Sequence, residues 1–100
     1  MNHFNQLTPA EAERLAMLAE ECGEVIQVVG KILRHGYEST HPEGGPTNRQ
    51  TLEHELGDIK ACISRLSEQD IDKQQVLWHQ FQKLSNQQYL HHQEESNETT

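Results

Sequence analysis

The stretch "LAEECGEVIQVVGKILRHG", residues 18–36, decides the fold. Leu18, Ala19, Cys22, Val25, Ile26, Val29, Ile32 and Leu33 recur at spacings of three and four, with Leu15 just upstream. That period draws one apolar stripe along a helix. Inside the same stretch Glu20, Glu21 and Glu24 crowd together around Gly23, a poor helix former. Residues three and four apart are neighbours on a helix, and like charges there cost about 0.2–0.5 kcal/mol per pair. A core-forming segment that carries such a cluster needs a reason for it.

Upstream, "TPAE" at 8–11 starts this helix: Thr8 is the N-cap, Pro9 loses no needed N–H, and Glu11 completes a capping box. Downstream, Gly36 after Lys31, Arg34 and His35 is a C-terminal stop, with Gly30 a place to bend or fray. "YESTHPEGGPTN" is a loop, and "TNRQ" at 47–50 repeats the capping box to open a second helix through about Leu66. Its stripe is Leu52, Leu56, Ile59, Ile63 and Leu66. "SEQDIDK" is a short break in which Asp70 or Asp72 can cap a third helix, about 72–90, carrying Val76, Leu77, Trp78, Phe81 and Leu84. No strand-like alternation and no internal repeat is present, so the class is all-α. Narrow stripes make a thin core, and Trp78 and Phe81 on a Gln-rich helix point to an interhelical or intersubunit contact. The expected architecture is a helical bundle of three to four helices completed by oligomerisation.

One hundred residues suit a single domain. The apolar positions fall almost wholly between 7 and 84, so residues 1–90 read as the domain and the polar, acidic 91–100, "HHQEESNETT", as a disordered tail. A net charge of -8 without any Lys/Arg cluster excludes a binder of nucleic acid polymers. No apolar run approaches a membrane span, and "MNHFNQLTPAEAE" lacks the regions of a signal peptide. Cys22 and Cys62 both sit at apolar helix positions and read as buried free thiols in a reducing compartment. The expected location is the cytoplasm.

The second helix contains "EHELGD", with Glu55 and Asp58 again three apart. At about 100° per residue, Glu21 and Glu24 flank their stripe on the same side as Glu55 and Asp58 flank theirs. An antiparallel pair joined by the loop therefore lines one groove with acids from both helices. Partial burial makes that arrangement costlier still unless a cation occupies it. Oxygen ligands without nearby Cys or His suit Mg²⁺ or Mn²⁺, which retain water and take further oxygens from phosphates. Acidic helix faces are usually just solvated, but two such pairs on successive helices, both flanking apolar stripes, are far less common by accident. The implied site is a metal-dependent phosphate site.

"EECGE" (20–24) followed by "ELGD" (55–58) resembles the signature of the MazG-like, all-α nucleotide pyrophosphohydrolase superfamily, and the likeness runs over roughly residues 8–90. Small phage-encoded members are similar through "KILRHGYES" and "GGPTNR" as well. The gap between the two motifs is long for the family, and the Gly/Pro loop accounts for it. The resemblance implies a homodimer or homotetramer that cleaves nucleoside triphosphates to the monophosphate and pyrophosphate with Mg²⁺ or Mn²⁺, two or more ions per site. It places Glu21, Glu24, Glu55 and Asp58 as metal ligands. Glu20 and Glu21 stand at the catalytic step, with Glu20 binding another metal or orienting the attacking water. A phage origin would put the protein in the host cytoplasm.

Two readings stand for Lys31 and Arg34: contacts to a β- or γ-phosphate, or solvated cations near a helix C-terminus. Asn48 and Arg49 open the second helix, where free N–H groups favour anions. Lys83 and Asn86 resemble the family's phosphate- or sugar-contacting pair, although Tyr89 stands where a basic residue usually follows. His35, His41 and His54 are candidate outer groups around the site or plain polar surface. Base specificity stays open among a broad house-cleaning enzyme, a dUTP-directed one and the dGTP-directed phage branch. The competing reading from another class is a non-catalytic acidic helical interaction protein.

Overall fold

A computed structural model describes residues 4–87, which form three helices: α1 (Pro9–His35), α2 (Asn48–Gln69) and α3 (Lys73–Asn86). The described residues include no strand. Both predicted capping boxes form. Thr8 Oγ1 accepts from Glu11 N–H at 3.1 Å while Glu11 Oε1 accepts from Thr8 N–H at 2.8 Å, and Thr47 and Gln50 repeat the exchange at 3.1 and 2.9 Å. Gly36 stops α1 with φ 89°, its N–H donating to Ile32 O at 2.7 Å. Such a positive φ is open to glycine at no steric cost.

Two features differ from expectation, and one open choice between caps is decided. Gly30 introduces no break, because α1 runs unbroken through it. α2 continues past Leu66 to Gln69, where Asp70 and Ile71 both donate their N–H to Leu66 O. Asp70 is held at that point by Arg14 from the start of α1, through Nε–Oδ2 at 2.7 Å and a second N–H at 2.8 Å. Asp72 rather than Asp70 then caps α3, accepting from Gln74 N–H at 2.8 Å. The expected tail, 91–100, and Tyr89 lie outside the described residues.

α1 and α2 are antiparallel. Arg14–Asp70 ties one end, and Asn48 Nδ2 donating to Gly36 O at 3.1 Å ties the other. Between them Val28, Cys62 and Leu66 are buried, and among the described residues no other apolar side chain is. The helical wheel explains why the core is so small. Val28 points at α2, but Cys22, Ile26, Val29 and Leu33 lie roughly 100–160° further round. All four are exposed, Ile26 at 71% and Leu33 at 82%. Cys22 is thus not the buried thiol its helix position suggested; only Cys62 is. On α2 the apolar edge at Leu56 and Ile63 is likewise exposed. Both uncovered edges fall on one side of the pair, opposite the side bearing Glu24 and Asp58.

α3 meets α2 along a groove of about 430 Å³ between Lys60, Ile63 and Ser64 and Val76, Leu77 and Gln80. Its Trp78, Phe81 and Leu84 are more than half exposed. The radius of gyration, 17.8 Å, exceeds the roughly 13 Å of a compact domain this long. Among the described residues no helix is long and apolar enough to cross a membrane.

Candidate metal centre

The centre is built by the α1–α2 pairing. Glu21 and Glu24 occupy successive turns of α1, Glu55 and Asp58 successive turns of α2. The register set by the two end ties brings them opposite one another. One carboxylate oxygen from each of the four lies within 4.8 Å of the others. All four side chains are partly buried, and Glu21 Oε2 and Glu55 Oε2 are buried without any hydrogen-bond partner. An orphaned buried carboxylate oxygen is costly. Two in one cluster fit a divalent cation, since a cation supplies what each oxygen lacks and these are hard oxygen donors.

The electrostatics carry the same strain. Burial pushes the Glu21 carboxyl up from its ordinary range, and the charges of Glu24, Asp58 and Glu20 add to the push. Contact with the Glu24 carboxyl raises Glu55, with burial second. Without a cation, then, these acids hold protons more readily than free carboxylates do. Cys62 lies near enough that its thiol is also raised, chiefly by burial and then by Glu21 and Asp58.

Glu20 is exposed beside the cluster and outside its closest set. Gly23 has no packing role there, because a Cβ at that position meets nothing within 4 Å. His54 is the residue that sequence reasoning undervalued. The donors were read as oxygen alone, with His54 only one of three candidate outer groups, and its Nε2 stands 3.3 Å from Asp58 Oδ2. The i,i+4 spacing was the available signal.

About two helical turns from the carboxylates along both helices, seven residues from Glu24 to Lys31 and from Glu55 back to Asn48, the groove becomes basic. Lys31, Arg34, His35, His41 and Asn48 line a cleft of about 430 Å³ together with Ser39 and Thr40. His35 and His41 belong to this cleft, not to the carboxylate cluster. The loop holds its shape by folding back on α2: Asn48 N–H donates to Ser39 O and Arg49 N–H to Tyr37 O, at 2.9 and 2.8 Å. Arg49 serves this loop. Its Nε donates to Glu38 Oε1 at 2.7 Å and its guanidinium lies 4.3 Å over the Tyr37 ring. Lys83 and Asn86, at the far end of α3, do not line the cleft; Asn86 donates to Gln82.

Neither the curated proteins nor the solved structures contain a match to this chain. The family model of the MazG nucleotide pyrophosphohydrolase domain does match, over residues 10–89. That span takes in all three helices, both pairs of carboxylates and the basic cleft, and the chain therefore belongs to the MazG nucleotide pyrophosphohydrolase family.

Proposed function

We propose that the protein hydrolyses a nucleoside triphosphate to the monophosphate and pyrophosphate at the α1–α2 groove. The observation that carries this reading is the four-carboxylate set from two helices, with two buried oxygens lacking any partner. Glu21, Glu24, Glu55 and Asp58 would hold Mg²⁺ or Mn²⁺. When bound, such a cation neutralises phosphate charge and acidifies water, which is the chemistry phosphoanhydride hydrolysis needs. Glu20, exposed beside the set, would accept a hydrogen bond from the attacking water and orient it. Water adds to the α-phosphorus, the bond to the bridging oxygen breaks, and pyrophosphate leaves with that oxygen.

Lys31 and Arg34 line the cleft two turns away, where their charge suits the leaving β- and γ-phosphates; Asn48 and the cleft histidines add polar contacts. This orients the substrate, with its phosphate tail toward the 37–49 loop and its nucleoside toward the open side of the groove. The uncovered apolar edges of α1 and α2 and the exposed Trp78, Phe81 and Leu84 favour a homo-oligomer in which a second copy covers them. Lys83 and Asn86 would then approach a site from a neighbouring subunit.

The test is a panel of nucleotides, including dUTP and dGTP, with Mg²⁺ and Mn²⁺, scored for pyrophosphate and monophosphate. Release that stops in excess chelator, and in Glu24→Gln and Asp58→Asn with helicity intact, is the expected result. Near-full activity in either variant overturns the ligand assignment.

A further inference from the structure

The close pairing in this fold is that of α1 with α2. Between α2 and α3 a groove stays open. Its apolar wall is Ile63, Val76 and Leu77, and Lys60 and Lys73 line it with Glu68 as the one acid. The groove is therefore net positive on a chain whose net charge is -8. Beyond it, one turn past Gln80, Leu84 continues the apolar line of α3 and is 68% exposed.

The residues that follow α3, 88–100, read "QYLHHQEESNETT". Tyr89 and Leu90 come first and Glu94, Glu95 and Glu98 afterwards, with no Lys or Arg among them. That order fits the groove followed backwards along α3. Gln87 to Gln80 is roughly 10 Å of helix at 1.5 Å per residue, which about three extended residues span. Gln87 to Lys73 is roughly 21 Å, which about six or seven extended residues span. A chain that doubles back therefore brings Leu90 level with Gln80, at the edge of the apolar wall. It brings Glu94 level with Lys73, or Glu95 if the reversal uses one residue.

Single exposed ion pairs are weak. A segment tethered at the end of the helix that walls its own groove meets it at high effective concentration, however, so weak pairs and modest apolar burial suffice. We propose that residues 88–95 occupy the α2–α3 groove of their own chain, covering Ile63 and Leu77 with Leu90 and pairing Glu94 or Glu95 with Lys73. The contact braces α3 against α2, which it meets less closely than α1 does.

The test is nuclear magnetic resonance on the full chain with labelled methyl groups. Nuclear Overhauser cross-peaks between the methyls of Leu90 and those of Ile63 and Leu77 are expected. Lys73→Glu should abolish them, and adding Glu94→Lys and Glu95→Lys to it should restore them. Lys73 is exposed at the first position of α3, where a glutamate suits the helix, so the fold is not at stake. Absence of Leu90–Ile63 cross-peaks in the wild type, as in an α3 that simply continues past Leu90, overturns the proposal. So do cross-peaks that survive Lys73→Glu unchanged, and cross-peaks that arise only between differently labelled copies, which would make a second chain the occupant.

Discussion

Glu24→Gln separates a metal centre from a merely acidic surface, because the two predict opposite changes in the metal-free protein. Glu24 has like-charged neighbours at Glu20 and Glu21 on its own helix and contacts Glu55 across the groove. A like-charge pair at helix spacing costs about 0.2–0.5 kcal/mol, so removing the Glu24 charge relieves roughly 0.4–1 kcal/mol from α1 alone. At about 4–8 °C per kcal/mol for a domain of this size, metal-free Tm should rise by roughly 2–8 °C. The cross-groove contact enlarges the gain. Magnesium acts the other way. A ligand at one hundred times its dissociation constant adds about 2.7 kcal/mol to the native state, or roughly 11–22 °C. Glu24→Gln should forfeit most of that increment. The assay is thermal unfolding by circular dichroism in excess chelator and in saturating Mg²⁺, for both proteins. A variant that is less stable without metal, or that keeps the full Mg²⁺ increment, would refute the reasoning.

Other outcomes follow from the same contacts. Because Glu21 and Glu55 are raised in the folded protein, the native state binds more protons than the unfolded chain above about pH 4.3, the ordinary glutamate value. Stability therefore falls as pH rises through that value toward the folded ones. Asp70, lowered by its hydrogen bonds to Arg14, contributes stability that is present above its ordinary value and lost only as pH falls through its folded one. Metal-free Tm should accordingly be higher at pH 5 than at pH 7, and saturating Mg²⁺ should reverse the trend; a metal-free Tm that climbs from pH 5 to 7 contradicts it. Asp70→Asn, which weakens one of the two ties that set the register of the carboxylates, should lower Tm and also weaken Mg²⁺ binding read by calorimetry; unchanged Mg²⁺ affinity would show that the tie does not hold the register. Leu66→Ala, at the most buried apolar position (4% exposed), should cost about 2–5 kcal/mol and show as a lowered urea midpoint with an unchanged slope.

The elements of this protein are legible residue by residue. "TPAE" and "TNRQ" announce two helix starts because a capping box is satisfied within four residues, and Gly36 announces a stop because its φ is local. The four carboxylates were legible for the same reason: i,i+3 spacing puts Glu21 with Glu24, and Glu55 with Asp58, whatever the rest of the chain does. The end of α2 was not, since Arg14, 56 residues away, holds Asp70 there. Nor was the state of Cys22, whose exposure depends on where α2 sits against α1, nor the fate of Arg49, which the returning loop gives to Glu38 and Tyr37.

By itself, then, the sequence determined an all-α chain, its caps and stripes, and the two acidic pairs, all consequences of contacts within one helical turn. The tertiary structure alone decided that the pairs converge to within 4.8 Å and that two of their oxygens are orphaned. Those facts depend on the register of α1 against α2. That register is fixed at Arg14–Asp70 and Asn48–Gly36, between residues too distant in sequence for any local period to relate.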